Sequence, residues 1–409
     1  MQKIDFSGVL AAAERGEPPT EVTPCGVRSS NASVFRGVLK DHLARFGVTR
    51  VANITGLDHL GVPVHIAVKP QGRSLSSGSG KGTSLDGSWV SAVMEAAEQT
   101  VWEQLEGSTT EANASSMRQF GCQIVDVHRL PTFRRMRWNE HFPIRWRSGW
   151  DILRGEEVWV PDELVTFRRS QTSPFVGGTN GLASGRHVLE AVLSGLLELV
   201  ERDAIALDDV ERADRRVEFG SLLQAAAPEL AERLTQSRVN VEVRDVTTKL
   251  GVPVMIAFIS DADDERVGFF MGAGASTGTG VALVRALTEA AQSRCVVVAG
   301  ARDDIFRSER RAILSRLAGA PVARHDPLPP LAVVEDVHLA GFTARIQWIA
   351  TRLAHFGFDR IVVLRHSAPG DPVQVVRVIV PGLEWNRFKS AAIGGRLLDG
   401  VAPAPRSTR

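Results

Sequence analysis

The chain has 409 residues, 44% apolar and 23% charged, with a net charge of +1 at pH 7. Such a chain is globular, can bury a sizeable core, and is long enough for one large domain or two to three ordinary ones. The balanced charge gives no broad basic face for nucleic acid or an anionic membrane, so an anionic ligand must be met by a local site.

Residues 1–44, with Pro18, Pro19 and Pro24, read as an N-terminal arm. Asp5, Glu14 and the lack of a long apolar stretch argue against a signal peptide. Residues 45–390 read as the main domain and 391–409 as a flexible tail containing Pro403 and Pro405. Arg50–Thr55 and Val62–Val68 read as strands around a turn. Leu60–Val68 (LGVPVHIAV) nearly recurs as Leu250–Phe258 (LGVPVMIAF), with His65 replaced by Met255. A glycine loop and an apolar helix follow each copy, so the chain holds an internal duplication of a strand–loop–helix unit. Two copies are too few for a solenoid, and a pseudo-symmetric single domain is expected. Between them, Trp138, Trp146, Trp150 and Trp159 mark short strands, and Gly177–Asp203 forms a middle loop–helix unit. Ser221–Gln236 reads as a helix and Val239–Val246 as a strand. Beyond the third unit, Arg302–Leu317 and Val334–Phe356 read as helices, and Arg360–Leu364 and Val373–Val380 as strands. The fold class is α/β (α+β). No apolar run reaches the ~18 residues of a membrane span. Cys25, Cys122 and Cys295 are far apart and form no C-x-x-C, which argues against a disulfide framework or a zinc site. A reducing cytoplasm is the expected compartment.

The informative feature is a polar stripe on each of three apolar helices: Ser91, Glu95 and Glu98; Ser194, Glu198 and Glu201; Arg285, Glu289 and Gln292. The spacing i, i+4, i+7 places each set within about 60° on one helix face. One such stripe is commonplace on a solvated helix. Here the flanking residues (Ala92, Val93, Ala96 and Ala97 in the first) are core-like, and burying a carboxylate is costly unless a positive charge meets it. The preceding glycines (Gly78, Gly80, Gly82; Gly177, Gly178, Gly181, Gly185; Gly272, Gly274, Gly278, Gly280) offer backbone N–H groups at helix starts, where phosphate binds well. Lys81, Arg73 and Arg285 add positive charge. Carboxylates, basic groups and glycine loops together suggest Mg2+ and a nucleoside triphosphate. Familiar motifs fail: in the P-loop-like Gly78–Thr83, Leu75 stands where the first glycine belongs and Gly82 follows the lysine. No G-x-S-x-G or H-E-x-x-H occurs, and His187 reads as structural.

The segments SGSGKGTSLDGSWVSAVMEAAE, GGTNGLASGRHVLEAVLSGLLELVERDA, RALTEAAQSR and VRVIVPGLE resemble the YcaO superfamily in order, over about residues 45–390. The resemblance implies an ATP-binding domain in which helix carboxylates hold Mg2+ around the triphosphate. It implies metal ligation by Glu95, Glu98, Glu198, Glu201 and Glu289, and ATP contacts from Lys81, Ser91, Asn180, Ser194, Arg202, Arg285 and Gln292. Gln99 stands where many relatives carry arginine. Characterised relatives phosphorylate a backbone amide oxygen of a ribosomally made peptide or protein after a nucleophile adds to the carbonyl carbon. A substrate Cys, Ser or Thr yields an azoline, sulfide a thioamide, and an amine an amidine. The nucleophile comes from outside, so no catalytic side chain is assigned. Azoline-forming relatives commonly end in P-x-P-x-P, whereas this sequence has Pro403-Ala-Pro405 followed by Arg-Ser-Thr-Arg409. That ending and the RVANITGLDHLGVPVHIAV opening tilt the reading toward the TfuA-associated, thioamide-forming type. The alternatives are an azoline-forming cyclodehydratase and a nucleotide-binding accessory protein without peptide chemistry. Expected partners are a precursor peptide or protein and a TfuA-like or E1-like leader-binding protein, and a homodimer is in keeping with the resemblance.

Overall fold

The computed structural model describes residues 3–11, 14, 16–136, 138–167, 173–211, 214–262, 268–300, 328–335, 339–385, 394 and 396–397. A hairpin of β1 (Glu21–Thr23) and β2 (Gly26–Arg28) precedes α1 (Ala32–Lys40). Asn31 caps α1 by accepting the Ser33 N–H at 2.9 Å. β3 (Arg50–Asn53), β4 (Val64–Val68) and β5 (Ser77–Lys81) form an antiparallel sheet, followed by α2 (Leu85–Glu103), which Ser84 caps. Next come β6 (Thr110–Ala112), α3 (Ala114–Gln119), β7 (Ile144–Asp151) and β8 (Glu156–Pro161). The tryptophans at 146, 150 and 159 lie on the β7–β8 hairpin. β9 (Leu182–Gly185) leads into α4 (Val188–Glu211).

The single helix expected over 221–236 is two, α5 (Gly220–Ala226) and α6 (Pro228–Gln236). Pro228 cannot donate its N–H and restricts the residue before it, so the helix restarts there. β10 (Val239–Asp245), β11 (Val254–Asp261) and β12 (Phe269–Ala275) form a second antiparallel sheet ahead of α7 (Thr279–Ala299). α8 (Gly341–His355), β13 (Val362–Arg365) and β14 (Gln374–Ile379) complete the elements. The helix expected over 302–317 and the tail from Leu398 lie outside the described residues. The helix expected from Val334 begins at Gly341 instead. In the largest sheet the order is β6-β7-β13-β14-β9, with β8 paired to β7. No helix among the described residues is long and apolar enough to cross a membrane.

The duplication is visible in the strand register. His65 pairs with Gly80 and Met255 with Gly274, so the two LGVPV segments occupy equivalent places in β3-β4-β5 and β10-β11-β12. A third unit of similar plan is drawn from distant parts of the chain, with β13, β14 and β9 covered by α4. Each glycine strand packs on its own helix, and each helix also touches the strand of another unit: α2 meets β9, α4 meets β12 and α7 meets β5. The three units therefore form a closed cycle.

The glycine stretches expected as loops are partly strand: Gly78 and Gly80 lie on β5, Gly185 on β9, and Gly272 and Gly274 on β12. On β5 and β12 these glycines recur with period two, which is one strand face, and that face lies against helix backbone. A Cβ at Gly80 would stand 2.1 Å from the Ala92 nitrogen, and one at Gly272 would stand 2.1 Å from the Ala290 nitrogen. Glycine at these positions serves close strand-on-helix packing. Beneath the strands, Ala92, Ala96, Ala286 and Ala290 are fully buried, while the stripe residues are half-buried.

Candidate functional site

The cycle brings the three stripes together. Glu95 accepts the Ser79 N–H at 2.8 Å and Glu198 accepts the Gly181 N–H at 3.0 Å, each from the glycine-rich chain of its own unit. The Ala273 N–H meets Glu289 in the same way. The second acid of a stripe reaches across to another unit. Glu98 is hydrogen-bonded by the Ser184 hydroxyl of β9, and Glu201 accepts the Ala275 N–H of β12 at 2.9 Å. Lys81, at the end of β5, closes the ring with an ion pair to Glu289 of α7. β5, β9 and β12 are sheet edges, so their backbone donors are available to these carboxylates.

The electrostatics run continuously around the ring. Burial, then Glu198 and Glu95, push the Glu98 carboxyl well above the usual range. Burial and Glu289 push Glu201 up to about 7. Burial would raise Glu289 too, but Lys81, by charge and hydrogen bond, and Arg285 hold it below its ordinary value. Arg202 pairs with Glu198 at 3.0 Å and donates to the Asn180 side chain at 3.1 Å. Gln99 is buried and donates to Glu95 at 3.3 Å, so an amide stands where an arginine would add charge. The recess thus crowds carboxyls whose mutual repulsion raises Glu98 and Glu201, and an added cation would relieve that repulsion. Among the described residues, no group of three or more His, Cys, Asp or Glu side chains forms a ready cage for a metal. The acids instead offer a few oxygens from each wall. This donor set fits Mg2+, which takes one or two carboxylates and completes its shell with phosphate and water.

Lys81, Glu95, Glu98, Glu198, Glu201, Arg202, Arg285 and Glu289 interact within one recess, and Asn180 joins them through Arg202. Ser91, Ser194 and Gln292 are half-buried on the same helix stripes. Arg73 does not join them. It donates to the Glu103 carbonyl at 3.3 Å, at the far end of α2, and its guanidinium lies 5.1 Å from the Phe167 ring.

One residue escaped sequence reasoning. Arg377, in the middle of apolar β14, is 1% exposed, and its charge acts on both Glu198 and Glu98. Its signals were an arginine inside the apolar run VVRVIV and its place in the family-like segment VRVIVPGLE. Burial pushes the Cys295 thiol up to about 11, and it donates to the Ile54 carbonyl at 3.2 Å.

Comparison with known proteins identifies the family. Residues 79–384 match the family model described as YcaO cyclodehydratase, ATP- and Mg2+-binding. A Rhizobium leguminosarum bv. trifolii protein described only as uncharacterized and in the tfuA 3' region is 36% identical, over 85% of this chain and 86% of the relative. In fold, the chain is similar to the structure of YcaO from Methanopyrus kandleri bound with AMPPCP and Mg2+, with TM-score 0.67, 22% identity and 89% and 94% of the two chains covered. It is also similar to a heterocyclase in complex with substrate and cofactor, with TM-score 0.75 and 19% identity over 92% of this chain. The chain spans only 56% of that heterocyclase. The matched family, the 36% identical relative and the shared fold together establish that this chain belongs to the YcaO family, whose ligands are ATP and Mg2+.

Proposed function

We propose that this protein activates a backbone amide of a ribosomally made peptide or protein by transferring the γ-phosphoryl group of ATP to the amide oxygen. The observation that carries the proposal is the convergence of three striped helices on one acidic recess edged by Lys81, Arg202 and Arg285. Glu95, Glu98, Glu198, Glu201 and Glu289 would hold Mg2+, and Lys81, Arg285, Ser91, Ser194, Gln292, Asn180 and Arg202 would meet the nucleotide. Bound ATP and Mg2+ supply the phosphoryl group and the charge that neutralises it during transfer. The chain's own part is positioning. Lys81 is already aimed across the ring at Glu289, and backbone N–H groups orient Glu95, Glu198 and Glu201 from one side. Each acid can then turn its remaining oxygen lone pairs toward a metal.

The chemistry needs an external nucleophile. It adds to the amide carbon, and the resulting oxyanion takes the phosphoryl group as ADP departs. The carbon–oxygen bond then breaks, and inorganic phosphate carries the former amide oxygen away. With hydrosulfide as the nucleophile, a thioamide remains after loss of the proton. The relative in a tfuA 3' region favours this outcome and a TfuA-like partner. A second reading, azoline formation with an E1-like leader-binding partner, is favoured by the cyclodehydratase family description and the heterocyclase fold match. Residues 45–390 would form the catalytic domain, with 1–44 and 391–409 at its ends.

Mass spectrometry of a precursor peptide co-expressed with this protein and its TfuA-like partner separates the readings. Replacement of one oxygen by sulfur is the expected result, whereas loss of one water would favour the azoline reading. An unmodified peptide despite ATP-competent protein and partner would overturn both and favour an accessory role.

A further inference from the structure

We propose that Arg377 is a positioning residue that sets one wall of the recess from behind, by fixing the turn that carries Asn180. This rests on the reading of the recess as a Mg–ATP site. Arg377 lies on β14, opposite Leu182 of β9, with its side chain closed off from solvent. One guanidinium nitrogen, Nη1, donates to the Asn180 carbonyl at 2.8 Å, while Nε and Nη2 have no hydrogen-bond partner. A guanidinium buried to this extent is costly, and fold requirements alone would be met by an apolar residue, as at Val375, Val376, Val378 and Ile379 of the same strand. Its compensation comes from two carboxylates on two helices, Glu198 of α4 and Glu98 of α2.

The turn it holds is tightly specified. Gly181 has φ +76°, a left-handed conformation, and a Cβ there would stand 2.2 Å from the Val378 carbonyl oxygen. The Gly181 carbonyl accepts the Val378 N–H at 2.8 Å, next to the Arg377–Asn180 bond. Two adjacent residues of β14 therefore clamp two adjacent residues of the turn. From that turn the Gly181 N–H goes to Glu198 at 3.0 Å, and the Asn180 side chain accepts from Arg202 at 3.1 Å. Arg202 in turn pairs with Glu198. Arg377 is thus one step removed from three proposed ligand residues and is too enclosed to touch the nucleotide itself. Its loss is expected to act on ligand affinity through Asn180, Arg202 and Glu198.

The test is calorimetric titration with Mg–AMPPCP of wild type, Arg377→Met, Arg377→Lys, Asn180→Ala and the Arg377→Met/Asn180→Ala double variant. Thermal melts without ligand monitor folding. Methionine preserves bulk and removes the buried charge, so the fold is expected to be retained. Arg377→Met is expected to weaken Mg–AMPPCP about 10- to 100-fold, the usual cost of losing a group that orients ligands. Arg377→Lys is expected to recover part of that loss, because it keeps the charge without the planar fork. If Arg377 acts through the turn, the loss in the double variant is smaller than the product of the two single losses. Folded Arg377→Met with wild-type affinity, or losses that simply multiply in the double variant, would overturn the inference while leaving the Mg–ATP reading intact. Failure of the wild type to bind would overturn the Mg–ATP reading itself. If Arg377→Met does not fold, Arg377→Lys against Asn180→Ala provides the same comparison.

Discussion

Replacing Glu98 by glutamine is expected to stabilise the ligand-free protein and at the same time remove its affinity for Mg–ATP. Glu98 is surrounded by its own kind: burial, Glu198 and Glu95 all raise its carboxyl, and only the Ser184 hydroxyl and Arg377 oppose them. A carboxyl raised on folding holds more protons in the folded than in the unfolded chain. Stability therefore falls as pH rises from its ordinary value of 4.5 through the raised folded value. Glutamine abolishes that loss. The gain is expected in full above the folded value and to vanish below 4.5, where the acid is neutral in both states. Glutamine cannot supply an anionic ligand, and Mg–ATP affinity is expected to fall by at least ~100-fold. Thermal melts across pH, paired with nucleotide titration, check both halves. A variant no more stable than wild type at alkaline pH would contradict the crowded-acid account, and one with wild-type affinity would remove Glu98 from the site.

Lys81→Met separates stability from function in another way. Lys81 and Glu289 retain 19% and 36% side-chain exposure, so their ion pair contributes within about 1 kcal/mol. The melting temperature is therefore expected to drop little. Function is expected to suffer far more. Lys81 is the main influence holding Glu289 below its ordinary value against burial, and it is the cation that one unit extends to the stripe of another. Without it, Glu289 takes up a proton more readily and a positive charge at the proposed phosphate position is lost. ATP turnover with substrate and partner present is expected to fall ~10²–10³-fold, the scale of losing one preorganised electrostatic contact. Turnover near wild type would exclude Lys81 from that role.

The stripes were legible because helix periodicity is a local property: Glu95 and Glu98, or Glu198 and Glu201, share a face wherever the helix goes. The LGVPV repeat was legible because the two sheets keep the same register against Gly80 and Gly274. The glycine stretches were misread because β5 lacks the β-branched residues that mark strands. Its glycines are explained only by the backbone of α2 beneath them. The third unit was half hidden, since its strands β13 and β14 follow α4 by more than a hundred residues. The cyclic contacts, such as Glu201 to Ala275 and Lys81 to Glu289, join units distant in sequence and had no local signal. Arg377 was missed for the same reason: a charge inside a strand gains meaning from the acids that fold around it. Arg73 was included on proximity in sequence, but packing carries it to the other end of α2.

The central claim is that three helices from three units build one Mg–triphosphate site. Calorimetric titration with AMPPCP, with and without Mg2+, tests it on wild type and on Glu95→Gln, Glu198→Gln and Glu289→Gln, one variant from each helix. The expected result is one nucleotide per chain, strict dependence on Mg2+, and loss of binding in all three variants while each remains folded. Binding independent of Mg2+, or a folded variant from any one helix that binds as wild type does, would contradict it.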